Sequence, residues 1–127
     1  MKLNSSLILL MMIATLSTYA PAQSPKAPSM ADEKKKLASA KAGYTKAKVA
    51  FDKKPKDNKL KKSYIDAAMK YGNVALTSSA LTPKEKYPLS LQMYREVLRL
   101  DPKNKEAKSN KELIEGIYKQ MGRPVPK

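Results

Sequence analysis

The sequence predicts an all-α fold in which antiparallel helix hairpins stack on one another. Apolar residues recur at steps of three and four along four separate segments, which is the spacing of one helix face. Capping residues or prolines that stop a helix lie between these segments. No segment alternates apolar and polar residues with a period of two, so no β-strand is predicted.

Residues 1–22 are predicted to be a signal peptide. Lys2 gives a basic start, an apolar run follows over about residues 7–16, and Ala20 and Ala22 are small residues at the positions that a signal peptidase reads. The apolar run is shorter than the roughly 20 residues of a membrane span. We expect cleavage after Ala22, export to the periplasm or the outside of a bacterial cell, and no transmembrane segment in the mature form. An uncleaved N-terminal anchor is the alternative.

The mature chain is predicted to consist of a polar tether (23–28), a helical domain (29–122) and a C-terminal tail (123–127). Removing 22 of the 127 residues leaves 105, which is enough for one domain with a modest core. The chain contains no cysteine, so an exported domain of this kind depends on packing alone.

Caps and prolines set the predicted ends of the first two helices. Ser29 is the predicted N-cap of the first helix, and Pro55 ends that helix at or before Lys54. Asp57 or Asn58 is the predicted cap of the second. The apolar stripes are Leu37, Ala40, Tyr44, Ala47 and Phe51 in the first helix, and Leu60, Tyr64, Ala67, Tyr71 and Val74 in the second.

The third helix is predicted over residues 88–100, after a turn region that contains a single helical turn near Thr82. Asp101-Pro102 stops it, and a fourth helix starts near Lys105 and ends at the C-cap residue Gly122. The second helix has a wide apolar face, which favours an open stack over the alternative of a closed four-helix bundle. The predicted inward residues are Leu91, Tyr94, Val97 and Leu98, followed by Ala107, Ile114, Ile117 and Met121.

The stretch from residue 87 to residue 107 resembles the second half of a tetratricopeptide repeat (TPR). It opens with an aromatic residue, continues with a small residue and a second aromatic, and ends with Leu-x-Leu-Asp-Pro. Tyr71-Gly72 resembles the Leu-Gly pair of the preceding helix, although 15 residues separate Gly72 from Tyr87 where the family has about nine. The matching positions are Gly72, Tyr87, Ser90, Tyr94, Val97, Leu98 and Pro102.

This resemblance implies a short right-handed solenoid of four helices, with one full repeat around residues 71–104 and a degenerate helix on each side. It also implies a protein–protein interaction module that docks a peptide or a partner helix in a groove lined by Asp66, Met69, Asn73 and Leu76. The competing interpretation places Met69 and Leu76 in the core and Asp66 in solvent. Gly72 predicts a close helix crossing, with simple tolerance of glycine as the alternative.

The charge of the mature chain is strongly positive. The whole chain has 26 Lys and Arg against 11 Asp and Glu; the signal segment holds only Lys2, which leaves 25 − 11 = +14. Such a charge attracts acidic partners and anionic polymers. The densest group, here called the lysine cluster, is a candidate anion site, with a solvated charge run as the alternative; its members are Lys53, Lys54, Lys56, Lys59, Lys61 and Lys62.

The residue types present argue against catalysis. The chain has no histidine and no cysteine, which removes imidazole bases, thiol nucleophiles and the usual zinc ligands. Its acidic residues are scattered, and it has no glycine-rich phosphate loop. We therefore expect no enzyme, no cofactor and no metal site. The alternative to the interaction module is a nonspecific, lysine-mediated binder of anionic polymers or envelope surfaces.

Overall fold

The computed structural model describes residues 26–127, which form helices joined by short turns. The helices are α1 (Met30–Lys53), α2 (Asn58–Thr77), α3 (Pro83–Leu100) and α4 (Lys105–Gln120). No strand occurs within this range, so the predicted all-α class is confirmed. The predicted signal peptide (1–22) and the first part of the tether (23–25) lie outside the described residues. None of the described helices has the length and apolar character needed to cross a membrane.

The predicted N-caps of α1 and α2 are confirmed by their hydrogen bonds. Ser29 Oγ accepts from the Asp32 N–H at 3.2 Å, and Asp32 Oδ2 accepts from the Ser29 N–H at 3.1 Å. The Ser29 hydroxyl also donates to Asp32 Oδ2 at 2.7 Å, and this bond, followed by the one from the Ser29 N–H, holds the pKa of Asp32 below its ordinary value. In α2 the cap is Asp57, because its Oδ1 accepts from the N–H groups of Lys59 and Leu60 at 2.9 and 3.1 Å.

The predicted start of the third helix at residue 88 is wrong: α3 begins at Pro83 and Pro88 lies inside it. The start is fixed by the carboxylate of Glu85, whose Oε2 accepts from the N–H and Oγ1 of Thr82 at 2.9 and 2.7 Å. Pro88 lacks one N–H, and its ring crowds the carbonyl of Lys84. Because Lys84 belongs to the first turn of α3, its carbonyl can shift away from the Pro88 ring without distorting an earlier turn of the helix.

Each helix packs against its neighbours in sequence: α1 against α2, α2 against α3, and α3 against α4. No comparable packing joins α1 to α4 within residues 26–127. The main core lies between α2, α3 and α4, and a smaller one lies between α1, α2 and α3. Buried members of the first are Ala68, Met69, Leu91, Tyr94, Val97, Ala107, Ile114 and Tyr118; those of the second are Ala40, Tyr71, Val74 and Met93.

One predicted core position is wrong. Met121 is 46% exposed, because α4 ends at Gln120 and Met121 is already its C-cap. Gly122 caps the helix as predicted, but from the position after the C-cap residue: it adopts a φ of 62°, and its N–H donates to the Lys119 carbonyl at 3.1 Å. The Arg123 N–H donates to the Tyr118 carbonyl at 3.0 Å, which completes a Schellman motif and turns the chain away from the helix axis.

The expected close helix crossing at Gly72 is confirmed. A Cβ built on Gly72 would lie 3.0 Å from Met93 Cβ and 3.0 Å from Tyr94 Cε1. Ser90 Oγ, fully buried, donates to the Gly72 carbonyl at 2.9 Å. The backbone of α2 is therefore in direct contact with the side chains of α3, and any side chain at residue 72 would separate the two helices.

We predict that Gly72→Ala lowers the free energy of unfolding by about 1–3 kcal/mol, the usual cost of overpacking a core. The atoms that its methyl group meets include Met93 Cβ, which cannot move without its backbone. Gly43→Ala is the matched control: Gly43 lies inside α1, and a methyl group there would meet no atom within 4 Å. There alanine should stabilise by about 0.5–1 kcal/mol. Urea unfolding measures both, and equal effects would contradict the close crossing.

Candidate functional site

An open hollow lies between the first half of α2 and the turn that joins α3 to α4. It has a volume of about 420 Å³, with Ile65 and Leu100 as its apolar surface. The predicted groove residue Asp66 lines it together with Lys61 and Lys62 of the lysine cluster. The structure thus brings one predicted groove residue and two members of the lysine cluster together here. We call this site the α2 hollow; its remaining lining residues are Asn58, Asp101 and Asn104.

Several polar groups of the α2 hollow are already paired within the chain. Lys62 Nζ lies 2.6 Å from Asp66 Oδ2, one helical turn away, and both side chains are exposed. Such an exposed pair contributes about 0.5 kcal/mol or less, so a ligand can displace it at little cost. Asn104 Oδ1 accepts from the Ala107 N–H at 2.9 Å as the N-cap of α4. Lys61 makes no ion pair with residues 26–127.

Two other predicted groove residues lie against the core and do not line the α2 hollow. Met69 is 8% exposed and belongs to the main core. Leu76 is half-buried and packs against the same core. Little of either side chain is open to a ligand, as the competing interpretation of these residues expected.

The fourth predicted groove residue, Asn73, joins three helices. Its Oδ1 accepts from the Tyr94 hydroxyl at 2.8 Å and from Asn110 Nδ2 at 3.2 Å. Its Nδ2 donates to Glu106 Oε1 at 2.7 Å. Burial raises the pKa of Tyr94 to about 12, so its hydroxyl stays protonated and continues to donate. Asn73 therefore holds α4 and α3 against α2.

The lysine cluster does not form one continuous site. Lys53 and Lys54 lie at the end of α1, and the members beyond Asp57 belong to the first turns of α2. The carboxylate of Asp57 accepts from the N–H groups of Lys59 and Leu60, which removes these donors from an anion bound at the start of α2. Of the cluster, only Lys61 and Lys62 line the α2 hollow.

A half-buried carboxylate on α3 is shared by two tyrosines, and sequence reasoning missed it. Glu96 Oε2 accepts from the Tyr44 hydroxyl of α1 at 2.8 Å and from the Tyr64 hydroxyl of α2. We call these three residues the tyrosine–glutamate cluster. The available signal was that buried tyrosine hydroxyls need a partner, and Glu96 directly precedes the core residue Val97. Aromatic rings pack around the cluster, with centroids 5.8 Å (Tyr44–Tyr64), 5.6 Å (Tyr44–Tyr71) and 5.4 Å (Phe51–Tyr64) apart.

The cluster changes the acid–base behaviour of its tyrosines. Burial, followed by the hydrogen bond to Glu96, raises the pKa of Tyr44 far above its ordinary value. The same two causes raise the pKa of Tyr64. A phenolate beside the Glu96 carboxylate would place two negative charges together, so both hydroxyls remain donors.

A second hollow, which sequence reasoning also missed, lies along the outer side of α3. It has a volume of about 590 Å³ and shares no lining residue with the α2 hollow. The available signal was that Arg95 and Arg99, two of only three arginines in the chain, lie one helical turn apart. We call it the α3 hollow; it is lined by Pro88, Leu89, Gln92, Arg95, Glu96, Arg99, Pro126 and Lys127.

The described part of the chain contains no group of three or more carboxylate, histidine or cysteine side chains placed to hold a metal ion. Comparisons of the chain with protein-family models, with curated proteins and with solved structures give no match.

We predict that the protein loses stability as the pH rises above about 10, the ordinary pKa of tyrosine. Between that pH and the raised pKa values, the folded protein keeps tyrosine protons that the unfolded chain releases. The contribution of these tyrosine protons to the free energy of unfolding is fully present below about pH 10 and is lost as the pH rises above that value. Tyr44→Phe removes one such proton. The free energy of unfolding of this variant should therefore fall less steeply with pH than that of the wild type, and the two slopes should differ by at most about 1.4 kcal/mol per pH unit.

Urea unfolding at about pH 9 and about pH 11 measures this slope, because the pH range brackets the ordinary tyrosine pKa. Comparing the variants isolates the tyrosine contribution, because all other titrating groups are the same in each protein. Tyr87→Phe, whose hydroxyl lies outside the tyrosine–glutamate cluster, is the matched control and should keep the wild-type slope. If Tyr44→Phe kept the wild-type dependence of unfolding free energy on pH, the tyrosine–glutamate cluster would not be holding the Tyr44 proton in the folded protein.

Proposed function

We propose that this protein is a small exported interaction module, built as a TPR-like open stack of helix hairpins. The pattern of contacts supports the open stack. Alternate helices touch as well, α1 and α3 through Tyr44 and Glu96, and α2 and α4 through Asn73 and Glu106. A closed bundle would also pair α1 with α4.

In this proposal the α2 hollow is the docking site for a peptide or partner helix. The observation that carries it is the meeting of apolar surface (Ile65 and Leu100) with lysine ammonium groups in one open hollow. Apolar side chains of the partner would pack against Ile65 and Leu100, and its carboxylates would pair with Lys61 and Lys62. The net charge of +14 outside the signal segment favours an acidic partner and accelerates encounter.

The lysine cluster favours a second candidate function, the binding of anionic polymers or envelope surfaces. Its members outside the α2 hollow (Lys53, Lys54, Lys56 and Lys59) are exposed. Exposed lysines bind polyanions by releasing counterions, without requiring a shaped site. Docking of a protein partner and polymer binding therefore differ in their dependence on salt and in the residues they use.

We predict that tagged protein captures a partner from a bacterial envelope extract and that Ile65→Gln abolishes the capture. Removing an apolar anchor from an interface centre weakens binding by about tenfold or more. The double variant Lys54→Ala/Lys56→Ala, which changes the lysine cluster outside the hollow, should retain the partner. Capture should survive a washing step in high salt, and circular dichroism verifies that each variant keeps its helices.

The polymer function gives the opposite pattern. Binding would then fall steeply and linearly with salt on a log–log plot, would weaken in Lys54→Ala/Lys56→Ala, and would be unchanged in Ile65→Gln. That pattern would contradict docking in the α2 hollow.

A further inference from the structure

The α3 hollow has two chemically different ends. Pro88 and Leu89 form an apolar end near the start of α3, and Arg95 and Arg99 bring positive charge to the other. Arg99 is exposed and makes no ion pair with residues 26–127. Arginine presents several donors in a planar fork, which suits a carboxylate.

The acidic side chain that lines the α3 hollow, Glu96, does not neutralise these arginines. Glu96 directs Oε2 to the hydroxyls of Tyr44 and Tyr64, inward from the hollow. Its Oε1 accepts from Gln92 Nε2 at 3.4 Å. The nearest acidic partner of Arg95 is Glu115 of α4, 3.8 Å from Arg95 Nη2. The hollow therefore keeps an excess of positive charge that a ligand can use.

The chain's own tail supplies a peptide ligand at the edge of this hollow. Arg95 Nη1 donates to the backbone carbonyl of Pro126 at 2.7 Å, and Pro126 and Lys127 line the hollow. The Schellman motif at Gly122 turns the chain back after α4. Pro124 and Pro126 favour an extended conformation at their own positions and at the residue before each of them. The hollow is thus compatible with an extended peptide backbone.

The lining favours a peptide over a nucleic acid strand. Single-stranded nucleic acid binds where aromatic rings are available for base stacking. None of the residues that line the α3 hollow is aromatic, and the tyrosines nearest to it point to Glu96 and the core. A hollow with an apolar end and an arginine at its other end suits a chain that carries both carboxylates and apolar side chains.

We propose that the α3 hollow binds an extended acidic segment of a partner protein, which lies beside the tail. A carboxylate of the segment pairs with Arg99, and an apolar side chain about four or five residues along the segment packs against Pro88 and Leu89, because the two ends of the hollow lie about 15 Å apart along α3 and an extended chain advances about 3.3 Å per residue. This site is separate from the α2 hollow and does not depend on the function proposed for it.

The test uses a fluorescein-labelled peptide of alternating glutamate and leucine, with fluorescence anisotropy at about 0.15 M salt to screen distant charges. The same peptide with glutamine in place of glutamate is the uncharged probe. We expect the acidic peptide to bind and the glutamine peptide to bind far more weakly. Arg99→Gln should weaken binding of the acidic peptide by about tenfold, as expected for loss of a charge-assisted pair.

Lys108→Gln is the matched control, because it removes the same charge from an exposed position of α4. It should change the affinity by less than about twofold. Equal losses in the two variants would mean that the peptide responds only to net charge, and would overturn the proposal. Failure of the acidic peptide to bind the wild-type protein would overturn it as well.

Backbone amide shifts in NMR spectra locate the bound peptide. Shifts at Leu89 and Gln92 support the α3 hollow. Shifts confined to Ile65 and Leu100 would place the peptide in the α2 hollow, which would overturn this inference and support the separate proposal for that site. Shifts at Leu89 with none at Ile65 would support the α3 hollow as the site of this peptide. The α2 hollow would then be tested separately, with the partner captured from the envelope extract.

Discussion

The contact between the backbone of α2 at Gly72 and the side chains of α3 determines how the remaining helices are placed. The absence of a side chain lets Met93 and Tyr94 approach, and the buried Ser90 hydroxyl bonds to the Gly72 carbonyl. The next residue, Asn73, is thereby positioned to hold α4 through Asn110 and Glu106. Further along α3, Glu96 is placed to accept from tyrosines of α1 and α2. The outer helices are thus joined to one central pair by polar contacts that depend on its spacing.

This core relies on tyrosines, which bury large rings and also require hydrogen-bond partners. Such groups destabilise a fold when they are left unpaired and fix its geometry when they are paired. No buried side-chain nitrogen or oxygen lacks a partner in the part of the chain described. Tyr44 and Tyr64 share Glu96, and Tyr94 bonds to Asn73. The same arrangement directs the hydroxyls of Tyr44, Tyr64 and Tyr94 to partners within the protein.

Local patterns were sufficient to predict the helices and most of their ends, because capping and apolar spacing act within a few residues. The caps at Ser29 and Asp57 and the inward tyrosines follow from such patterns. The start of α3 was misplaced because Pro88 suggested a helix start, whereas the Thr82–Glu85 bonds set it earlier. The tyrosine bonds to Glu96 and the return of the tail to Arg95 join residues that are between 31 and 52 positions apart, which no local pattern reveals. The α2 hollow was missed for the same reason, because Leu100 and Asn104, which line it together with Asp66, lie 34 and 38 positions away from Asp66 in the sequence.

Native-state hydrogen exchange tests most directly whether α2 and α3 form the unit on which the other helices depend. If they do, amides of α2 and α3 around Gly72 and Ser90 will exchange only through global unfolding, with one shared free energy of opening. Amides of α1 and α4 will exchange through smaller openings that leave the central pair intact. Greater protection in α1 or α4 than in the central pair, or separate openings of α2 and α3, would contradict the account.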